Sequence, residues 1–290
     1  MGVGELSKIH PDMKGNGSLP DIKNKIKVKP LTRATIVLRL TISILIILTV
    51  YGFMTFDYKD VKMVDGLLML GTNLKVMFTE AHFNHFTFSE AVYQVLITLG
   101  LALLTTIFGA VLALFLGLFA AENLSSKRVS NLIKGIIAFI RAVPTVLWVL
   151  IFAIAAGLGS VAAVVGMTFH SMGYLVKAYS ESFEELDKGV IEALRGSGAN
   201  WWQIIFQAVI PSSMTYLISW TFLRFEINFG VAIAMGAAAG AGGIGFDMFM
   251  ASAFYLDLRE VGMITYFVLI VAIMLEIIAT RIKAKLKVKM

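Results

Sequence analysis

A few polar side chains stand inside stretches that are otherwise apolar: His170, and the run Arg224, Glu226 and Asn228 in TFLRFEINF. A guanidinium held in hydrocarbon costs at least ~2.5 kcal/mol, so such groups face a partner or a water-filled path. The chemistry they suggest is ion handling. Arg224 has a planar fork that can donate two parallel hydrogen bonds to an oxyanion; the other reading is that the charges lock helices together. On a helix, Asn228 shares the face of Arg224 at i+4, whereas Glu226 lies about 200° around from it. Other constellations carry less. Glu80, His82 and His85 supply two imidazoles and one carboxylate, an incomplete ligand set, and no metal site is expected. Gly240, Gly242 and Gly245 satisfy G-x-G-x-x-G, yet they follow an apolar helix instead of a strand and open no βαβ unit. Ser171, next to His170, points to a different helix face, so nothing predicts an enzyme.

The elements that position these residues follow from composition. The chain has 290 residues, 58% hydrophobic and 15% charged, which predicts an all-α, polytopic membrane protein. The net charge of +6 comes from basic residues clustered beside apolar segments, which points to membrane lipid and away from nucleic acid. Cysteine is absent, excluding disulfides and thiolate chemistry. Residues 1–33 read as a basic cytoplasmic tail, and residues 34–91 as a first membrane helix (34–56) with an external connection whose apolar run Leu67 to Leu70 is too short to span. Arg39 is expected to snorkel to the headgroups. Residues 92–281 form a domain with helices expected at 92–121, 135–157, 160–179, 212–235 and 262–280, with Lys127, Arg128 and Lys134 in a short loop. Arg141 and Pro144 interrupt the second of these, and residues 282–290 close the chain as a basic cytoplasmic end. Six helices with both termini inside place most of the 25 lysines and arginines on the inner side, as the positive-inside rule requires.

Between two of these helices lies EALRGSGANWWQIIFQAVIP, Glu192 to Pro211, in the 181–211 loop. Asp187 to Leu194 can form a short helix, Gly196 and Gly198 can end it, Asn200 can cap a second helix with Gln203 three positions on, and Trp201 and Trp202 fall where that helix re-enters the bilayer interface. Glu192, Ala193, Gly198 and Pro211 at this spacing resemble the EAA loop of permease subunits in ATP-binding-cassette importers. Leu194 departs from the usual alanine, and Ala208 and Ile210 stand where isoleucine and leucine are usual before the proline.

The resemblance narrows with Arg141, Pro144 and Thr145, Gly157 to Gly159, Arg224 to Asn228, and Gly240 to Gly245, which together look like the permeases for phosphonates and related phosphorus oxyanions. It implies uptake across a prokaryotic cytoplasmic membrane, with a coupling helix at 181–211. Substrate would come from an external binding protein, and a separate ATPase pair would hold ATP and Mg. A second copy of the chain is the expected neighbour. No phosphate-cradling G-x-x-x-x-G-K-[ST] loop occurs, so no cofactor is expected on this chain. Arg224, Glu226, Asn228 and His170 are then candidates for the pathway. Arg141, Pro144, Gly240, Gly242, Gly243 and Gly245 are candidates for gating or close packing. The rival reading is an ion-coupled secondary transporter of a small anion, which also places ionisable groups in the membrane but has no need of the EAA-like loop.

Overall fold

A computed structural model describes residues 32–55 and 62–287. Nearly all of the expected basic tail, and the last three residues, lie outside the described residues. The chain divides into two units at Lys62. In the first, α1 (Arg33–Thr55) is a 23-residue apolar helix with no buried residue. The second holds nine helices among the described residues: α2 (Met63–Thr79), α3 (Phe88–Ala120), α4 (Lys127–Ala142), α5 (Thr145–Ala156), α6 (Ser160–Glu184), α7 (Lys188–Gly196), α8 (Trp201–Ala239), α9 (Ile244–Phe254) and α10 (Leu258–Lys287). Among the described residues five helices are long and apolar enough to cross a membrane, and there are six spans if α4 and α5 count as one. The expected all-α, polytopic architecture is therefore what is found.

Helix α6 is the centre of this unit. Its small residues admit neighbours closely: a Cβ on Gly109 of α3 would stand 3.0 Å from Ser171, one on Gly166 would stand 2.5 Å from the backbone of Val149 in α5, and one on Gly173 would stand 2.9 Å from Arg141. In lipid, where burial of apolar surface between helices gives little, such close approach is what holds a bundle together.

Several expected boundaries are corrected. The segment expected over 135–157, interrupted at Arg141 and Pro144, begins earlier, at Lys127, and is two helices bent by 88°. Pro144 pushes Val143 into an extended conformation (ψ 124°) and has no N–H to give the carbonyl four residues back, Ile140. The Trp148 indole N–H donates to that carbonyl at 3.1 Å, so the break leaves no orphan there. We expect Trp148→Phe, which keeps the ring stacked on Phe169, to destabilise the chain by about 1 kcal/mol in thermal unfolding in detergent. An unchanged midpoint would mean that water serves the carbonyl instead.

Lys127, Arg128 and Lys134 belong to α4 and not to a loop. Residues 63–79, read as connection, are helical because α10 offers them a seat. Gly262 has no side chain where a Cβ would stand 1.7 Å from the Met77 carbonyl, Tyr266 donates to the Phe78 carbonyl, and Arg259 pairs with Glu80 at 2.8 Å. Helix α6 continues to Glu184, and α10 continues to Lys287, through most of the expected basic end. Helix α8 begins at Trp201 instead of Ser212 and passes Pro211 unbroken, because a π-turn at Ile205–Val209 shifts the ladder so that the Ile210 N–H reaches the Ile205 carbonyl.

The Gly240–Gly245 stretch turns α8 into α9 under tight contact. A Cβ on Gly245 would lie 1.9 Å from the Ile233 carbonyl oxygen, and Gly243 (φ +76°) leaves room for Thr98. The Gly243 N–H donates to Gln94 and the Ile244 N–H to Thr98 Oγ, which tie the hairpin to α3.

Candidate functional site

The 187–211 segment folds into one short helix, α7, capped at both ends, and the capped start of α8. Asp187 caps α7, accepting from the Gly189 N–H at 2.8 Å. At its other end Gly198 takes φ +84°, the Gly198 N–H donates to the Arg195 carbonyl, and the Ala199 N–H donates to the Leu194 carbonyl. This is a Schellman motif, with Leu194 and Ala199 both packed against the core beneath. Gly196, expected to help end the helix, is its last residue. Asn200 and Gln203 form a reciprocal capping box (2.9 and 2.7 Å), and α8 starts there. Ile191 is buried, which leaves Glu192 and Ala193 exposed.

One expectation fails. Trp202 is exposed, but Trp201 is turned inward, its ring against Phe119 and its indole N–H on the Leu124 carbonyl at 2.8 Å. The turn between α3 and α4 thus holds the helix pair, helped by Arg195 on the Asn123 carbonyl. The same turn is fixed to α6, since Asn123 donates to the Phe183 carbonyl and the Glu122 N–H to Glu184. Lys134 adds ion pairs to Glu122 and Glu184 (2.9 and 3.1 Å), and its ammonium holds the exposed Glu122 carboxyl below the ordinary range.

The ionisable residues of the apolar helices gather on the other side of α6. Arg224, 6% exposed, donates through Nε to Ser171 Oγ at 3.1 Å. Ser171 donates to Asn228 Oδ1, Asn228 donates to Thr106 Oγ, and Thr106 donates to the Ala102 carbonyl. Ser171, Asn228 and Thr106 each accept once and donate once in this file, and through it α8, α6 and α3 are joined. Asn228 shares the Arg224 face, as the i+4 spacing requires, and Glu226 sits half-buried on another side.

The guanidinium of Arg224 also lies 4.9 Å from the ring centre of Tyr174, and that of Arg141 lies 4.6 Å from the same ring. His170 stands 5.0 Å from it. Three candidates therefore converge on Tyr174, which the sequence reading missed. No local pattern marks it; its i+4 spacing from His170 was the one available signal.

The residues weighed for a metal come apart. His82 donates to the Glu80 backbone, Glu80 pairs with Arg259, and His85 joins Glu260 and Asp257. Glu260, fully buried, accepts from the N–H groups of Asn84, His85 and Phe86 and from His85 Nδ1, while Asp257 caps α10 through the Arg259 N–H. A loop clamp accounts for these oxygens; a cation would have to displace it.

Long apolar helices around a small-residue seam, two arginines meeting over one tyrosine ring and an exposed short helix capped at both ends define a multi-pass membrane protein. Residues 113–288 match the family described as binding-protein-dependent transport system inner membrane component, and the chain belongs to that family. It is the membrane-spanning component and not the ATPase.

Among relatives, the chain is 32% identical over 61% of its length to the phosphate-import permease protein PhnE of Mycolicibacterium smegmatis, and 31% identical over 59% to the phosphite transport system permease protein PtxC of Stutzerimonas stutzeri. The matches span 33% and 62% of those proteins, less than two thirds of either. The fold is similar to that of a chain in the MetNI methionine ABC transporter in an inward-facing conformation, with a TM-score of 0.64 at 20% identity, covering 70% of this chain and 99% of that one.

Proposed function

We propose that this chain is the permease subunit of an ATP-binding-cassette importer and forms the path for phosphonate or a related phosphorus oxyanion. The observation that carries the anion reading is the pairing of Arg141 and Arg224 about Tyr174, with His170 beside them: two guanidiniums from different helices meet at one ring. Relatives named for phosphate and phosphite transport agree with it. A separate ATPase, holding ATP and Mg, docks on α7 through exposed Glu192 and Ala193 and the Gly198 turn, and an external binding protein delivers the substrate. Both termini lie in the cytoplasm, and the membrane is that of a prokaryotic cell.

Uptake of labelled phosphite and of labelled methionine by vesicles holding the assembled complex tests this, energised in turn by ATP and by a proton gradient. ATP-dependent uptake of phosphite alone is expected; methionine uptake, or uptake driven by the gradient, overturns the reading.

Tyr174 is 43% exposed beside two guanidiniums, a surface unsuited to lipid. A second copy covers it in the assembly we propose, a two-fold dimer in which two α7 helices meet two ATPases. Native mass spectrometry is expected to find two copies of this chain with two of the ATPase. A one-to-one complex that still transports would refute the dimer.

A further inference from the structure

Helices α4 and α6 run past one another in opposite directions, with Lys134 at Glu184 and Arg141 against Gly173. Between them lies a cavity of about 320 Å³ that Lys134, Arg141, Lys177, Ser180, Glu181 and Glu184 help to line. Its α6 wall is one helical stripe: Lys177, Glu181 and Glu184 follow at intervals of four and three. Its α4 wall repeats the pattern, with Lys134 and Arg141 seven apart. At one end Arg141 reaches the Tyr174 ring that Arg224 also covers; at the other, Lys134 touches the turn that holds the docking helices. The Arg141 Nε is buried and has no hydrogen-bond partner among the described residues. Lys177, by contrast, is occupied by Glu181 at 3.6 Å, and Lys134 by two carboxylates, Glu184 at 3.1 Å and Glu122 at 2.9 Å.

We propose that this groove is a second oxyanion station, on the release side of the Arg224–Tyr174 cluster, in which Glu181 and Glu184 serve as stand-in anions. A phosphorus oxyanion leaving Arg224 meets Arg141 first, whose free donor it can take. It next meets Lys177 and then Lys134, displacing a carboxylate from each. Because these pairs are half-exposed, each is weak enough to exchange, and the returning carboxylate expels the anion. A site built of cations alone would hold the substrate too long for transport. The inference rests on the oxyanion reading of this subunit.

The test is the broadening of the phosphite ³¹P resonance by the full-length chain in detergent, together with uptake by the assembled complex. Arg141→Gln is expected to weaken phosphite binding about tenfold and Lys177→Gln roughly threefold. The paired change Glu181→Gln with Glu184→Gln is the sharper probe: binding should tighten roughly threefold while uptake falls, because the anion is no longer displaced. A lattice of purely structural ion pairs would not move the two readouts in opposite directions. If the parent binds phosphite and Arg224→Gln abolishes binding, but the Arg141, Lys177 and glutamate changes leave it untouched, the second station is wrong and the oxyanion reading stands. If the parent chain does not bind phosphite, both are wrong.

Discussion

Gly198→Val is expected to leave the chain inserted and assembled with its ATPase, and to lower transport per ATP hydrolysed by at least about tenfold. Gly198 holds φ +84°, and a Cβ placed there would meet nothing within 4 Å. The cost is therefore conformational and not steric crowding. A left-handed backbone costs an ordinary L-residue about 1–2 kcal/mol, and more when it is β-branched. To escape it the chain must give up the two closing bonds, from Gly198 to Arg195 and from Ala199 to Leu194, which set the angle between α7 and α8. Nothing in the spanning helices depends on those bonds, so insertion and assembly survive while the angle at which α7 passes motion to α8 is lost.

Asparagine tolerates the left-handed region, which makes Gly198→Asn the control. It should retain most of the coupling, and Gly198→Ala should fall between. Glu192→Lys, an exposed charge reversal on the same helix, should uncouple without disturbing the fold. Uptake and ATPase rate measured together on reconstituted complexes decide it. Normal transport by Gly198→Val would remove this turn from coupling.

What could be read in the sequence tracks how local its cause is. Gly198 and the Asn200–Gln203 box are caps, fixed by groups a few residues apart, and they stand where spacing put them. Asn228 joined Arg224 on one face for the same reason. The partners that complete that site were not legible: Ser171 and Thr106 are 53 and 122 residues away in the bonds they make with Arg224 and Asn228, and only the packing of α3 on α6 through Gly109 brings them in.

Helix α2 was lost because its stability comes from α10, whose Gly262 gives no sign in the sequence of what rests on it. The first half of α4 was lost differently. Its lysines suggested a loop, although Ser130, Ile137 and Ile140 already lay at helical spacing as its inner face. Trp201 shows the limit of residue preference, since the same amphipathic ring that suits a bilayer interface also suits a half-buried seat with a carbonyl for its N–H.

The largest effect on substrate passage is expected at Arg224. Its Nε is committed to Ser171, which locks α8 to α6, while the guanidinium lies over Tyr174 toward Arg141. One residue thus has a structural bond and an outward charge, and two substitutions separate them. Arg224→Gln removes the charge and is expected to lower uptake at least about tenfold at saturating binding protein, because a charge-assisted contact to an oxyanion is roughly twice as strong as a neutral one. Arg224→Lys keeps the charge and loses the planar fork, so it should retain a measurable part of the uptake. Ser171→Ala is the matching control. It breaks the bond to Arg224 and leaves Asn228 Oδ1 without its donor, a cost of about 1–3 kcal/mol that falls on stability while the charge stays in place. If Arg224 acts on the anion, Arg224→Gln and Ser171→Ala diverge: the first assembles normally, keeps basal ATPase activity and fails in uptake, and the second is less stable but transports. If both fail in assembly alike, Arg224 is a lock between helices and the anion path runs elsewhere. Parent-like uptake by Arg224→Gln and Arg224→Lys together would likewise take Arg224 out of the pathway.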